Sequence, residues 1–75
     1  MTQQHDNPIE ALMRAIEWFG TQEAMAEKLG LHQSNISAAL NGNRKLSVQN
    51  AVLIDNATVG EVTKEELRPD IFRVG

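Results

Sequence analysis

Glycines at positions 20, 30, 42 and 60 cut this chain into short segments, and between them the apolar residues recur at helical spacing. Asn7-Pro8 opens the first segment, with a good N-cap followed by the residue favoured at the first helical position. Ile9, Leu12, Met13, Ile16 and Phe19 fall on one face of that helix, and Gly20 ends it. Thr21 caps a second helix carrying Ala24, Met25, Ala26 and Leu29, with no capping box, and Gly30 stops it. Ile36, Ala39 and Leu40 mark a third helix, closed by Asn41-Gly42-Asn43. Ser47 caps a fourth, in which Val48, Ala51, Val52, Ile54 and Ala57 are expected to face the core, and Gly60 ends it. Thr63 and Glu66 have capping-box spacing and predict one further short turn to Leu67, stopped by Pro69. Asp70–Val74 is expected as an extended tail. The predicted class is all-α, with four helices and a short fifth.

At 75 residues the chain is expected to be one domain, residues 1–75, with 1–7 a flexible N-terminus and 70–75 a C-terminal tail. A domain of this size buries only about 60% of the surface its unfolded chain exposes. It has no cysteine, so neither a disulfide nor a thiolate metal site supplements the core. Packed helices, or pairing with a second copy, must supply the remaining stability. No stretch is long and apolar enough to span a membrane. The uncharged-to-acidic start MTQQHDN does not resemble a secretory signal, so a cytoplasmic protein is expected.

Two short helices joined by a glycine-containing turn form a helix-turn-helix. Ala26 provides the small side chain where the second of the pair crosses the first. Gly30 suits the positive φ that the turn requires. Ile36 anchors the second helix inward, with Met25, Leu29, Leu31 and Leu40 completing the buried side. The outward face of the third helix is then His32, Gln33, Ser34, Asn35, Ser37, Ala38 and Asn41. Its amides and hydroxyls suit base edges in the major groove, where Gln or Asn can bond adenine twice and an Ala methyl can meet the thymine methyl. A solvated helix face without a partner ordinarily carries Lys and Glu.

Charge is distributed accordingly. The net charge is −3, which by itself disfavours nucleic acid. Between Glu27 and Asp55, however, there is no acidic residue, and the interval holds Lys28, His32, Arg44 and Lys45. Gln22, at the start of the second helix, and Asn43, Arg44 and Lys45, beyond the third, are the candidate phosphate contacts.

Residues 22–42, from Gln22 through Ala26, Gly30 and Ile36 to Gly42, resemble the helix-turn-helix of the Cro/repressor superfamily. The chain from about 8 to 72 resembles one branch of it, the YdaS-like antitoxins and Cro-like prophage regulators. Its more specific feature is the tail Glu66-Leu67-Arg68-Pro69-Asp70-Ile71-Phe72. The resemblance implies a lambda-repressor-like DNA-binding domain, with the helix-turn-helix at helices 2 and 3. It also implies a repressor of prophage or toxin–antitoxin genes, dimeric on a pseudo-palindromic double-stranded operator. Gln22 and Gln33 match paired glutamines of the family, one on phosphate and one on a base. His32, Ser34, Asn35, Ser37, Ala38 and Asn41 match its reading positions. Two positions depart from the pattern. Ala39 stands where relatives often carry a large residue such as Trp, and His32 replaces the usual Ser or Thr at the start of the third helix.

No nucleophile–base–orienter set and no phosphate-cradling glycine loop occurs, so neither an enzyme nor a cofactor is expected. His32 has no ligand-type partner at helical spacing, and no metal is expected. Arg68 and Asp70 can pair with each other or cap a helix. A competing function is a module that binds a toxin or another protein directly, through its acidic faces and apolar tail. Val59, Val62, Ile71 and Phe72 are the candidate dimer residues.

Overall fold

The computed structural model describes residues 7–72. Among them the chain forms six helices and no strand: α1 (Pro8–Phe19), α2 (Gln22–Leu29), α3 (Gln33–Leu40), α4 (Val48–Ala57), α5 (Lys64–Leu67) and α6 (Pro69–Phe72). Three of the four predicted side-chain caps are simple ones. Asn7 accepts from the amides of Ile9 and Glu10, Thr21 from Ala24, and Ser47 from Asn50. The fourth is the capping box, in which Thr63 accepts from Glu66 N and Glu66 from Thr63 N. His32, at the N-cap of α3, makes no side-chain cap bond.

α1 packs against α2, α3 and α5, and α4 packs against α2 and α5. Leu12, Met25, Ile36, Ile54, Val62 and Leu67 are the large side chains fully enclosed between them. On α1 the buried arc is Ala11, Leu12 and Ala15, with Ile16 and Phe19 partly covered. Met13, expected inside, is 53% exposed, and Ile9 is also exposed. Alanines at 11 and 15 let neighbouring helices close on α1, which turns the buried arc away from Met13. On α4, Ala51 and Ile54 are buried, whereas Val48 and Ala57 face solvent.

The chain after α4 departs most from the sequence expectation. Thr58, which ends α4, is fully buried, and its hydroxyl lies 2.8 Å from Ile54 O. The Thr58 hydroxyl oxygen in turn accepts from Val62 N at 3.1 Å, folding the 58–62 turn back on itself. Val62 is thereby drawn into the core at 2% exposure, which removes it from the dimer candidates. Asp70, Ile71 and Phe72 form helix α6 rather than an extended tail. Pro69 does not merely stop α5; it occupies the first position of α6, where its missing N–H costs nothing. Phe72 packs against the core, with Lys64 Nζ 5.6 Å from its ring centre, so it too is largely engaged within the chain. Val59 and Ile71 are the dimer candidates that stay exposed. Arg73, Val74 and Gly75 lie outside the described residues, as do residues 1–6.

Ala39 is buried and lines an open cavity of about 420 Å³ with Ile9, Leu12, Leu46 and Leu67 among its walls. The small side chain at this position leaves apolar space between the start of α1, the end of α3 and α6.

Candidate nucleic-acid interface

α2 and α3 meet at the predicted turn. Gly30 adopts the left-handed conformation (φ 70°, ψ 33°), and its amide donates to Ala26 O. Leu31 N donates to the same carbonyl at 2.9 Å, so one acceptor closes the helix and sets the turn. A Cβ at Gly30 would meet no atom within 4 Å, so the backbone conformation, not space, calls for glycine there. Ala26 and Ile36 are buried where the two helices pack.

With Ile36 and Ala39 inward, His32, Gln33 and Ser34 are exposed at the N-terminal end of α3, and Asn41 at its C-terminal end. Asn35, Ser37 and Ala38 are half-buried on its flanks. Ser37 Oγ donates to Gln22 Oε1 at 3.0 Å. A side chain expected on phosphate and one expected on a base are therefore joined across the helix pair.

Beyond α3, the loop of Asn43, Arg44 and Lys45 is held by its backbone, with Asn43 N and Arg44 N both directed at Ala38 O (2.9 and 3.4 Å). All three side chains are exposed. Asn35, Arg44 and Lys45 line one cleft of about 240 Å³ with Ser47 and Asn50. Sequence reasoning treated Ser47 only as a cap and overlooked Asn50. Both belong to the N-terminal turn of α4, which faces the basic loop, and Asn50 carried an available signal as a polar residue one turn after that cap.

Space also corrects the acid-free picture drawn from the sequence. Asp70, distant in sequence, accepts from Lys45 Nζ at 3.3 Å. It is gripped by Arg68 through two bonds, 2.9 Å from Nε and 2.8 Å from Nη2, while Arg68 Nη1 donates to Leu46 O at 2.7 Å. Hydrogen bonding to Arg68, reinforced by Lys45, holds the Asp70 carboxyl well below the usual carboxylate range, and the same pairing raises Arg68. Arg68 and Asp70 thus pair, and together they fasten α6 to the loop before α4.

Residues 12–74 match the family model described as "Bacterial toxin YdaS". The chain belongs to the YdaS family. A YdaS relative, "Putative transcriptional regulator YdaS" of Escherichia coli (strain K12), is 44% identical over 52 residues. That match takes in 69% of this chain and 53% of the relative, so the chain spans about half the relative's length. Among solved structures, the Cro protein from "putative prophage element Xfaso 1" of Xylella fastidiosa strain Ann-1 superposes with a TM-score of 0.75 at 34% identity. The superposition covers 85% of this chain and 97% of the Cro chain. The YdaS-family chain therefore has an all-α, Cro-type helix-turn-helix fold, and no helix of its described residues is long and apolar enough to cross a membrane.

Proposed function

We propose that this protein is a single-domain, sequence-specific regulator of transcription that binds double-stranded DNA. It acts as a Cro-like repressor of prophage or toxin–antitoxin genes. The observation that carries this reading is the outer face of α3, where Gln33, Ser34, Asn35, Ser37, Ala38 and Asn41 bear no charge while Arg44 and Lys45 stand exposed at its end. α3 enters the major groove with His32, Gln33 and Ser34 leading. Gln22, Asn43, Arg44 and Lys45 hold the flanking phosphates and fix the register. The names of the relatives, a transcriptional regulator and a Cro protein, support the same reading.

Paired variants test it. Gln33→Ala removes a base contact, so it relaxes preference at one base pair by about 1–3 kcal/mol and leaves other positions unchanged. Arg44→Ala weakens all duplexes alike and lowers the slope of log K against log salt by about 0.9, one phosphate's worth. A Gln33→Ala variant with unaltered preference at every position contradicts the assignment of α3 as the reading helix.

A second reading, direct binding of a protein partner such as a toxin, is favoured by the exposed Val59 and Ile71. Val59→Asp and Ile71→Asp would abolish capture of the neighbouring gene's product while leaving binding to a single half-site duplex, which needs no dimer, unchanged. Deleting the tail is the poorer test, since Asp70 and Phe72 both hold the fold.

A further inference from the structure

Lys45 is one of the two cations that the DNA reading assigns to phosphate, yet its ammonium already has an anion. Asp70 Oδ2 accepts from Lys45 Nζ at 3.3 Å, the one side-chain hydrogen bond given to that ammonium among the described residues. Asp70 cannot swing away freely, because Arg68 holds both of its oxygens and is itself tied to Leu46 O. The Arg68 side chain is 14% exposed and therefore part of the scaffold, whereas that of Lys45 is 71% exposed, with solvent and not packing around most of it. A held carboxylate thus stands beside an exposed cation, Lys45, which also lines the cleft of Asn35, Arg44, Ser47 and Asn50. Chemically it offers Lys45 what a phosphodiester would offer.

We propose that Asp70 is a built-in phosphate competitor. It holds Lys45 in the free protein, the DNA backbone must displace it, and the chain's sequence-independent affinity for DNA is lowered as a result. The inference rests on the DNA reading above. Its size is that of a surface ion pair, about two- to fivefold in affinity. The sequence supplies a rationale, since a reader with few cations on its DNA face must still keep sequence-independent binding low relative to specific binding.

The test is a binding cycle on a random-sequence duplex of about three helical turns at low salt. It compares wild type, Asp70→Asn, Lys45→Ala and the double variant, at a temperature where circular dichroism shows each one folded. Asn keeps an acceptor for Arg68, and Asp70→Ser repeats the measurement if Asp70→Asn melts early. Glu17→Gln, in the separate cleft with Arg14 and Trp18, makes the same change in net charge away from Lys45. Asp70→Asn is expected to bind about two- to fivefold tighter, with a steeper salt dependence. Glu17→Gln should gain less, and in the Lys45→Ala background Asp70→Asn should gain no more than Glu17→Gln does. Unchanged or weaker binding by Asp70→Asn overturns the proposal, and so does a gain no larger than that of Glu17→Gln or one that persists undiminished without Lys45. A wild type that binds no duplex contradicts the DNA reading itself, and that result is visible before any variant is compared.

Discussion

Val59 has φ 55° and is 85% exposed, a β-branched side chain in the left-handed region with little packing to recompense it. That conformation costs a non-glycine residue roughly 1–2 kcal/mol, and glycine's greater freedom in the unfolded chain offsets part of the relief. Val59→Gly should therefore stabilise the fold by about 0.5–1 kcal/mol, a rise in Tm of about 3–6 °C by calorimetry. A fall in Tm would show that Val59 makes contacts that outweigh its backbone strain. At this scale the sequence was informative where the chemistry is local. Asn7, Thr21, Ser47, Thr63 and Gly30 all act within a turn of themselves. The sequence was silent about Ser37 with Gln22 and Lys45 with Asp70, because those pairs are 15 and 25 residues apart and exist only once the helices dock.

Among the elements, α5 has only four residues and depends on its ends. Glu66 accepts from Thr63 N at 3.1 Å and pairs with Arg14 at 3.0 Å, joining α5 to α1, while Arg14 also reaches Glu61 O. Partial burial pushes the Glu66 carboxyl up, but its bonds to Arg14 and Thr63 outweigh this and leave it below the ordinary value of 4.5. A carboxyl with a lower folded than unfolded pKa stabilises the fold above the unfolded value and loses that contribution as pH falls through the folded one. Stability should thus decline as pH drops below about 4.5, and Glu66→Gln should flatten that decline in urea titrations. Glu66→Ala should cost about 1 kcal/mol at neutral pH, chiefly through the lost cap, because the half-exposed Arg14 pair contributes little. An acid limb unchanged in Glu66→Gln would contradict the assignment. The capping box predicted α5, but α6 escaped prediction. Four residues give too little periodicity to detect, and Pro69, which follows the end of α5 as expected, also initiates α6. Val62 was misread for a related reason: its inward turn is imposed by the buried Thr58 hydroxyl, which no apolar pattern signals.

Across the whole molecule, the exposed residues of α3 are followed by the exposed Arg44-Lys45 loop, and Val59 and Ile71 lie exposed beyond α4 and on α6. A twofold dimer reading a pseudo-palindromic operator needs its two α3 helices about 34 Å apart, one turn of DNA, and Val59 and Ile71 are the exposed apolar residues proposed to form its interface. Light scattering at micromolar concentration should show a dimer, at least with operator bound, and Ile71→Asp should return it to a monomer. A dimer unaffected by Ile71→Asp would move the interface elsewhere. The helix order and the helix-turn-helix were legible because each rests on short-range periodicity and a single turn. The surroundings of the basic loop were not, since Asp70 reaches it only through the packing of α6.

The central claim is that α3 reads sequence. Selection of bound duplexes from a random pool at moderate salt tests it most directly. The expected result is a recurring pseudo-palindrome whose half-sites are centred about one helical turn apart, with each mismatch costing about 1–3 kcal/mol. Equal recovery of every sequence would contradict it.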